Sequence, residues 1–537
     1  MMASQQPQDA TSPQAGDSLD SSSSSIAGTQ PDLSEGQSAE SMALIEYQEL
    51  DMNRVRVDPK WALKIPASLA LRKQVMPICK IHDQVVVACE DIEDAAAKRQ
   101  LDRILDCEMR LLSAEPQSLR AAIKRVYGNL NATPSKQPRV SSTDEQFIES
   151  EDAVAVCEEL MQAAAMRGAS DIHLAPDETA LVVRMRVDGR LETYSRIPNQ
   201  LQGAVVSRLK VMSGLDIAEK RAPQDGRFTA RIGPEQTKTD IRVATLPTRF
   251  GERVTMRLLG GQTTRLNLTN IGMNDRDLGI FRQTITRPHG LILLTGPTGS
   301  GKSTTLYAAL EDLLQSRGGN VITVEDPIEY EMPQVSQVEI DSADKVSFAK
   351  ALRSILRHDP DVIMIGEIRD LETAEIAVKA SLTGHLVFST LHTNTASGVV
   401  TRLADMGLKP FLIAATLRLA VAQRLVRRLC SQCRVPRALS EAEAGMLGRP
   451  EIAGRDVYEA GQCVYCAGRG YLGRIALIEC FDCDESVAKM IGEGASEEML
   501  VSNGRQRNRA LLMDDAIDKM LAGVTTYQEV LEAVVVW

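Results

Sequence analysis

No apolar run in this 537-residue chain approaches the roughly 20 residues needed to cross a bilayer. Its apolar runs, such as Leu291–Leu294, have the length of core strands. A basic surplus is also missing: 61 Lys and Arg stand against 72 Asp and Glu, a net charge of −11. Nine of those carboxylates precede the first basic residue, Arg54, which leaves −2 for the rest. The near-neutral body excludes a global cationic footprint for nucleic acid. Aromatic residues make up only 4% of the chain, and residues 1–41 contain none. That segment, with its run Ser21–Ser25, cannot bury enough apolar surface to offset its ordering entropy and is expected to be a disordered low-complexity tail. The start MMASQQPQDATSPQ has neither the basic residues nor the apolar stretch of a secretory signal, so a cytoplasmic protein is expected. In that reducing compartment the ten cysteines point to thiols or a metal rather than disulfides.

What is present is ordinary globular composition, 43% hydrophobic and 25% charged. Residues 42–128 read as a small mixed domain, with a strand at Gln84–Ala88 and an amphipathic helix at Asp94–Ile104. Residues 129–145, rich in Pro and Ser, read as a linker. Residues 146–270 read as a second α+β domain: a helix at Ala153–Arg167, a hairpin turning at Asp188-Gly189, and strands at Thr239–Thr245 and Val254–Leu259. From 271 to 537, strands at Leu291–Leu294, Val321–Val324, Val362–Ile365 and Leu386–Ser389 alternate with helical patterns, which predicts a mostly parallel α/β sheet.

The sharpest signal is Gly296-Pro297-Thr298-Gly299-Ser300-Gly301-Lys302-Ser303, a full GxxxxGK[ST] motif between an apolar strand and a helix that begins Thr304-Thr305. Glycines let backbone N–H groups curl around phosphate, the helix N-terminus adds its positive end, Lys302 reaches the β/γ-phosphates and Ser303 ligates Mg²⁺. Residues 296–304 are therefore the expected ATP site. Carboxylates are needed at neighbouring strand ends. VIMIGE, ending in Glu367, is the candidate Walker B strand. VITVEDPIEY supplies a second strand running into Glu325, Asp326 and Glu329.

In order, GPTGSGKST, ITVEDPIEY, RHDPDVIMIGEIRDLETA and TGHLVFSTLHTN resemble the Walker A, Asp box, Walker B and His box of the secretion ATPases, the hexameric family that drives type II secretion and type IV pilus assembly. The resemblance covers about residues 145–537. It implies a RecA-like P-loop core, Glu329 as the general base, Glu367 acting on Mg²⁺ and water, and His385 and His392 as γ-phosphate sensors. It also implies two arginines from the preceding domain, Arg227 in PQDGRF and Arg242 in DIRVATLP. Arg227 is expected to follow a turn at Asp225-Gly226, and Arg242 to lie on a strand. Arg186, Arg190, Arg253 and Arg257 sit in equally polar stretches.

Cys430, Cys433, Cys463 and Cys466 form two CxxC knuckles, the spacing of a closed structural Zn²⁺ site. They define a zinc-binding insert at about 428–475, a span similar to that of the type II secretion and pilus-extension branches. A third CxxC, Cys480 and Cys483, has no partner pair and reads as structural.

The expected function is a cytoplasmic homohexameric ATPase working on a membrane-embedded assembly platform, peripheral to the inner membrane, with no nucleic-acid partner. Pilus retraction is disfavoured because retraction ATPases typically lack the tetracysteine insert and the N-terminal domain. A nucleic-acid translocase draws support only from the basic cluster Arg424–Arg428. Residues 45–127 lack the RxGxxL-type pattern that marks a cyclic dinucleotide site in related domains. That region is therefore expected to dock the cytoplasmic part of a membrane protein.

Overall fold

The computed structural model describes residues 49–128, 145–259, 267–340, 347–507 and 509–535. The expected tail and nearly all of the expected linker lie outside them. In the first described segment, β1 (Val75–Ile81) and β2 (Gln84–Cys89) pair antiparallel and β3 (Met109–Ser113) joins β2 in parallel. The helix Ala95–Leu105 starts where the Asp94 carboxylate accepts the Ala96 and Ala97 amides, and it buries Ala97, Leu101 and Leu105, one helical stripe. The helix Pro116–Tyr127 closes the other side, its Tyr127 hydroxyl donating to the Ala62 carbonyl at 2.6 Å.

The second segment forms an antiparallel sheet from β4 (Ala169–Pro176), β5 (Ala180–Val187), β6 (Arg190–Pro198), β7 (Gln224–Ile232), β8 (Thr237–Thr248) and β9 (Gly251–Leu259), in the order β6-β5-β4-β9-β8-β7. Alternation decides its faces. Ile172, Leu174, Val183, Met185, Ile241, Val243, Val254 and Met256 point to one side, where the helices Glu145–Arg167 and Asn199–Met212 cover them. The opposite face carries the polar residues. Asp188 and Gly189, both with positive φ, make the two-residue hairpin turn expected from VDGRL. Asp225-Gly226 does not turn: both lie within β7, paired with Ala244 and Val243. A Cβ on Gly226 would sit 2.6 Å from the Ser213 carbonyl, so close approach, not turn geometry, places a glycine there.

The third region is built on β10 (Gly290–Thr295), β11 (Val321–Glu325), β12 (Val335–Glu339), β13 (Val362–Ile365), β14 (Leu386–Leu391) and β15 (Leu417–Leu429). A small insert hairpin follows, β16 (Val435–Ala438) with β17 (Asp456–Glu459), and then β18 (Tyr471–Asp482) returns to the main sheet. The sheet order is β12-β11-β13-β14-β10-β15-β18, parallel except where β18 runs against β15. Buried on both faces, β10 and β13 carry unbroken apolar runs at Leu291–Leu294 and Val362–Ile365, and β14 buries Ser389 and Thr390 beside its apolar Leu386–Phe388. The outer side of β18 is closed by side chains of the helix Leu512–Leu521. Asp515 accepts the Ile478 amide at 2.7 Å, and Lys519 donates to the Ala476 carbonyl at 2.7 Å.

The insert does not make its own core. Leu439, Ala444, Leu447, Ile452 and Val457 pack against Leu512, Ala516, Ile517, Met520 and Val530 from the C-terminal helices. On its other side Val464 and Ala467 enter the core of the first segment, and Gln462 accepts the His82 amide at 3.1 Å. Nearby, buried Arg167 grips Asp58 with bonds of 2.7 and 2.8 Å from one nitrogen and 3.0 Å from another. Glu192 stands 3.5 Å from Arg167 and 3.7 Å from Arg469, which ties all three regions together at the second knuckle.

Candidate active site

The phosphate loop leaves β10 at Thr295 and enters the helix Lys302–Ser316. Gly296, Gly299 and Gly301 have φ of 140°, 78° and 86°. At Gly296 the demand is double, because an added Cβ would also meet the Gln423 carbonyl at 2.3 Å. From β15, Gln423 donates to the Ser300 carbonyl at 2.8 Å and accepts the Thr305 hydroxyl at 2.8 Å. Buried Arg424 fastens the next loop, donating to the Asn394 side-chain carbonyl at 3.1 Å. Sequence reasoning assigned Arg424 only to a basic cluster; its burial shows a supporting role. Arg427 of the same cluster lies over the Tyr471 ring at 3.8 Å and pairs with Glu529 at 2.9 Å.

Lys302 is folded back onto the loop, donating to the Gly296 and Pro297 carbonyls at 2.8 and 3.0 Å. Burial lowers its pKa to about 8, against the opposing pull of the Glu367 and Glu329 carboxylates. Both carboxylates are thus gathered around the loop lysine. Glu367, mostly buried, is paired with Arg369 and stands 3.6 Å from His392 Nε2. Glu329 is exposed, yet crowding by protein atoms raises its pKa, while a hydrogen bond from Ser303 and the charges of Arg257 and Arg242 work downward. Ser303 and Glu367 are the oxygen donors of the hard type that Mg²⁺ takes.

Glu325 has a different part. Buried at the end of β11, it accepts bonds from Tyr307, from Thr323 at 2.6 Å and from Gln337 at 3.1 Å. The Tyr307 hydroxyl in turn accepts the Glu329 amide at 3.3 Å, and its ring meets Tyr330 edge-on with centroids 5.3 Å apart. Glu325 is therefore satisfied, and it anchors the segment that presents Glu329.

His385 is not brought to the loop within this chain. It precedes β14, its carbonyl accepting the Gly290 amide at 3.2 Å and its Nδ1 lying 2.9 Å from the Ala380 carbonyl. Gly290 opens β10 and the loop follows Thr295, so about five strand residues, roughly 16 Å, separate His385 from the loop. His392 lies beyond the other end of β14, where it meets Glu367.

Arg227 and Arg242 are directly opposite each other on β7 and β8, and the next residue in the row is Arg257 on β9. Arg227 approaches the Glu339 carboxylate at 3.9 Å, and Glu339 accepts the amide of Ile328, next to Glu329, at 3.4 Å. The arginine face is thus turned toward the segment that carries Glu329. Arg257, one of several arginines indistinguishable in sequence, joins the site through strand register.

The four knuckle sulfurs all lie within 4.8 Å of one another, and three of the pairs are 3.6, 3.7 and 3.8 Å apart. Four thiolates at about 2.3 Å from a common centre would be about 3.8 Å apart, so the set fits tetrahedral zinc. The Gly470 amide donates to Cys466 Sγ at 3.1 Å, an outer bond of the kind that orients metal thiolates. Cys480 and Cys483 belong to cores on opposite faces of the main sheet, and burial raises both thiols.

Residues 146–532 match the family model described as type II/IV secretion system protein, and residues 45–132 match the MshEN domain model. The chain belongs to the type II/IV secretion system protein family. Among its relatives, type II secretion system protein E of Pseudomonas aeruginosa is 41% identical over 87% of this chain and 95% of that one. Type II secretion system ATPase E of Vibrio cholerae is 46% identical over 72% and 77%, and the type IV pilus assembly ATPase PilB of Myxococcus xanthus is 39% identical over 88% and 86%. In fold, this secretion ATPase is similar to the Legionella pneumophila ATPase DotB, with a TM-score of 0.52 at 23% identity over 74% of this chain and 96% of that one. It is an ATP-hydrolysing P-loop enzyme with a RecA-like core. Among the described residues no helix is long and apolar enough to cross a membrane.

Proposed function

We propose that this secretion ATPase works in the cytoplasm as a homohexamer, peripheral to the inner membrane, and couples ATP hydrolysis to the assembly of a pseudopilus or pilus. The observation that carries the reading is the gathering of Lys302, Glu329 and Glu367 at one phosphate loop in a chain 41% identical to a type II secretion protein E. The loop amides of residues 298–301 and the positive end of the helix Lys302–Ser316 bind the phosphates, and Lys302 exchanges its two carbonyl partners for phosphate oxygens. Ser303 and Glu367 would hold Mg²⁺, which supplies neutralisation of the β- and γ-phosphate charge. Glu329 orients and deprotonates the attacking water, a task suited to its raised pKa. Arg227 and Arg242 offset charge on the γ-phosphate. The segment 42–128 docks the cytoplasmic part of a membrane platform protein, and the four cysteines hold a structural Zn²⁺.

The test is steady-state ATPase and nucleotide binding of purified Lys302→Ala and Glu329→Gln chains. The first should lose both, whereas the second should bind and not turn over. Wild-type turnover in Glu329→Gln would remove Glu329 from its role. In a deletion strain of the host, restored protein export against restored piliation separates the two machines.

A further inference from the structure

Strand register sets five side chains in one transverse row across the second sheet: Arg227, Arg242, Arg257, Asp171 and Arg186, each directly opposite the next. Directly opposed residues share a face, and here it is the face without helices, turned toward Glu329. Three adjacent guanidiniums repel one another, and an anion close by relieves that repulsion. Buried Asp171 supplies one. It takes Arg257 Nε at 2.9 Å and stands 3.7 Å from Arg186 Nε, while Ser170 donates to its other oxygen at 2.8 Å. Arg186 is spent on the hairpin turn, donating to the Gly189 carbonyl at 2.9 Å. Arg257 differs. Its base is clamped at Nε, its side chain is 64% exposed, and among the described residues neither Nη atom has a partner.

We infer that Arg257 is a third phosphate-neutralising arginine of the ATP site and that Asp171 is the positioning residue that aims its fork. A guanidinium held through Nε keeps both terminal nitrogens for bidentate contact with phosphate oxygens, and clamping removes the rotamer freedom that binding would otherwise have to take away. Asp171 never meets the nucleotide and acts only through Arg257. Arg227 and Arg242 have no such clamp among the described residues, so Arg257 is the pre-aimed member of the row. The inference rests on the proposed site around Glu329 and adds a residue to it.

The experiment is ATPase kinetics of the full-length assembled chain, with nucleotide affinity measured in parallel. Arg257→Ala should lower kcat by about 10²-fold, the scale of one preorganised charge donor, with affinity changed less than about threefold. Arg257→Lys, which lacks the fork, should recover little of it. Asp171→Asn should lower kcat about tenfold and Asp171→Glu should restore part of that. The double variant should be no slower than Arg257→Ala alone, because Asp171 has nothing left to aim. Free guanidinium at millimolar concentration should speed Arg257→Ala and leave Glu329→Gln unchanged, a response that a merely structural arginine would not give. Wild-type kcat in Arg257→Ala beside a dead Glu329→Gln overturns this inference alone, as do losses that multiply in the double variant. An active Glu329→Gln overturns the underlying site and this inference with it.

Discussion

Gln423 donates its side-chain amide to the carbonyl of Ser300 at 2.8 Å, so a strand more than 100 residues downstream holds the phosphate loop in shape. The same amide group accepts the Thr305 hydroxyl, fixing the first turn of the following helix. Gln423→Leu keeps the volume but leaves a buried carbonyl and a buried hydroxyl unpaired, at a cost of about 1–3 kcal/mol each. A lower melting temperature and a several-fold higher KM for ATP are expected. A variant with unchanged KM would show that the loop holds its own shape.

Gly296→Ala should be worse. The residue needs φ of 140°, and the new methyl would meet the Gln423 carbonyl at 2.3 Å. ATP binding should be lost in isothermal titration although the sheet stays folded by circular dichroism.

The pH profile of kcat/KM should be bell-shaped. Lys302 is charged below about 8 and neutral above it in the free enzyme, so the alkaline limb should fall near that value. Glu329 works ionised and its pKa is raised, so activity should be lost with falling pH above the ordinary glutamate value of about 4.3. A profile flat from about pH 7 to 10 would contradict the Lys302 assignment.

The chain should carry one Zn²⁺, measured by elemental analysis. Replacing both Cys463 and Cys466 by Ser should remove it and speed hydrogen exchange in β1 and β2, which pack against Val464 and Ala467. Metal retained after both substitutions would refute the site.

Arg167→Ala removes the cation from the half-buried Asp58 carboxylate, which keeps the Lys60 amide, and should weaken the seating of residues 49–128 by about 1–3 kcal/mol. Faster proteolysis within residues 49–128 is the readout.

The parallel core was legible because strands buried on both faces are written as unbroken apolar runs, as at Leu291–Leu294 and Val362–Ile365. The phosphate loop was legible because its chemistry is local. Arg257 was not, since only pairing register puts it beside Arg242. The His box misled in another way: likeness to a motif groups His385 with His392, although the strand written between them, Leu386–Leu391, sets them at opposite ends of β14. Asp225-Gly226 misled because a close backbone contact and a turn ask for the same residue.

The closed side of β18 has a consequence for how copies of this chain can meet. An open strand edge invites any neighbouring strand to add itself, the first step of aggregation. Here Asp515 and Lys519 already occupy the outward amide of Ile478 and carbonyl of Ala476. A second copy therefore cannot add a strand at this part of the edge without first displacing both side chains, and a contact made there through side chains can let go.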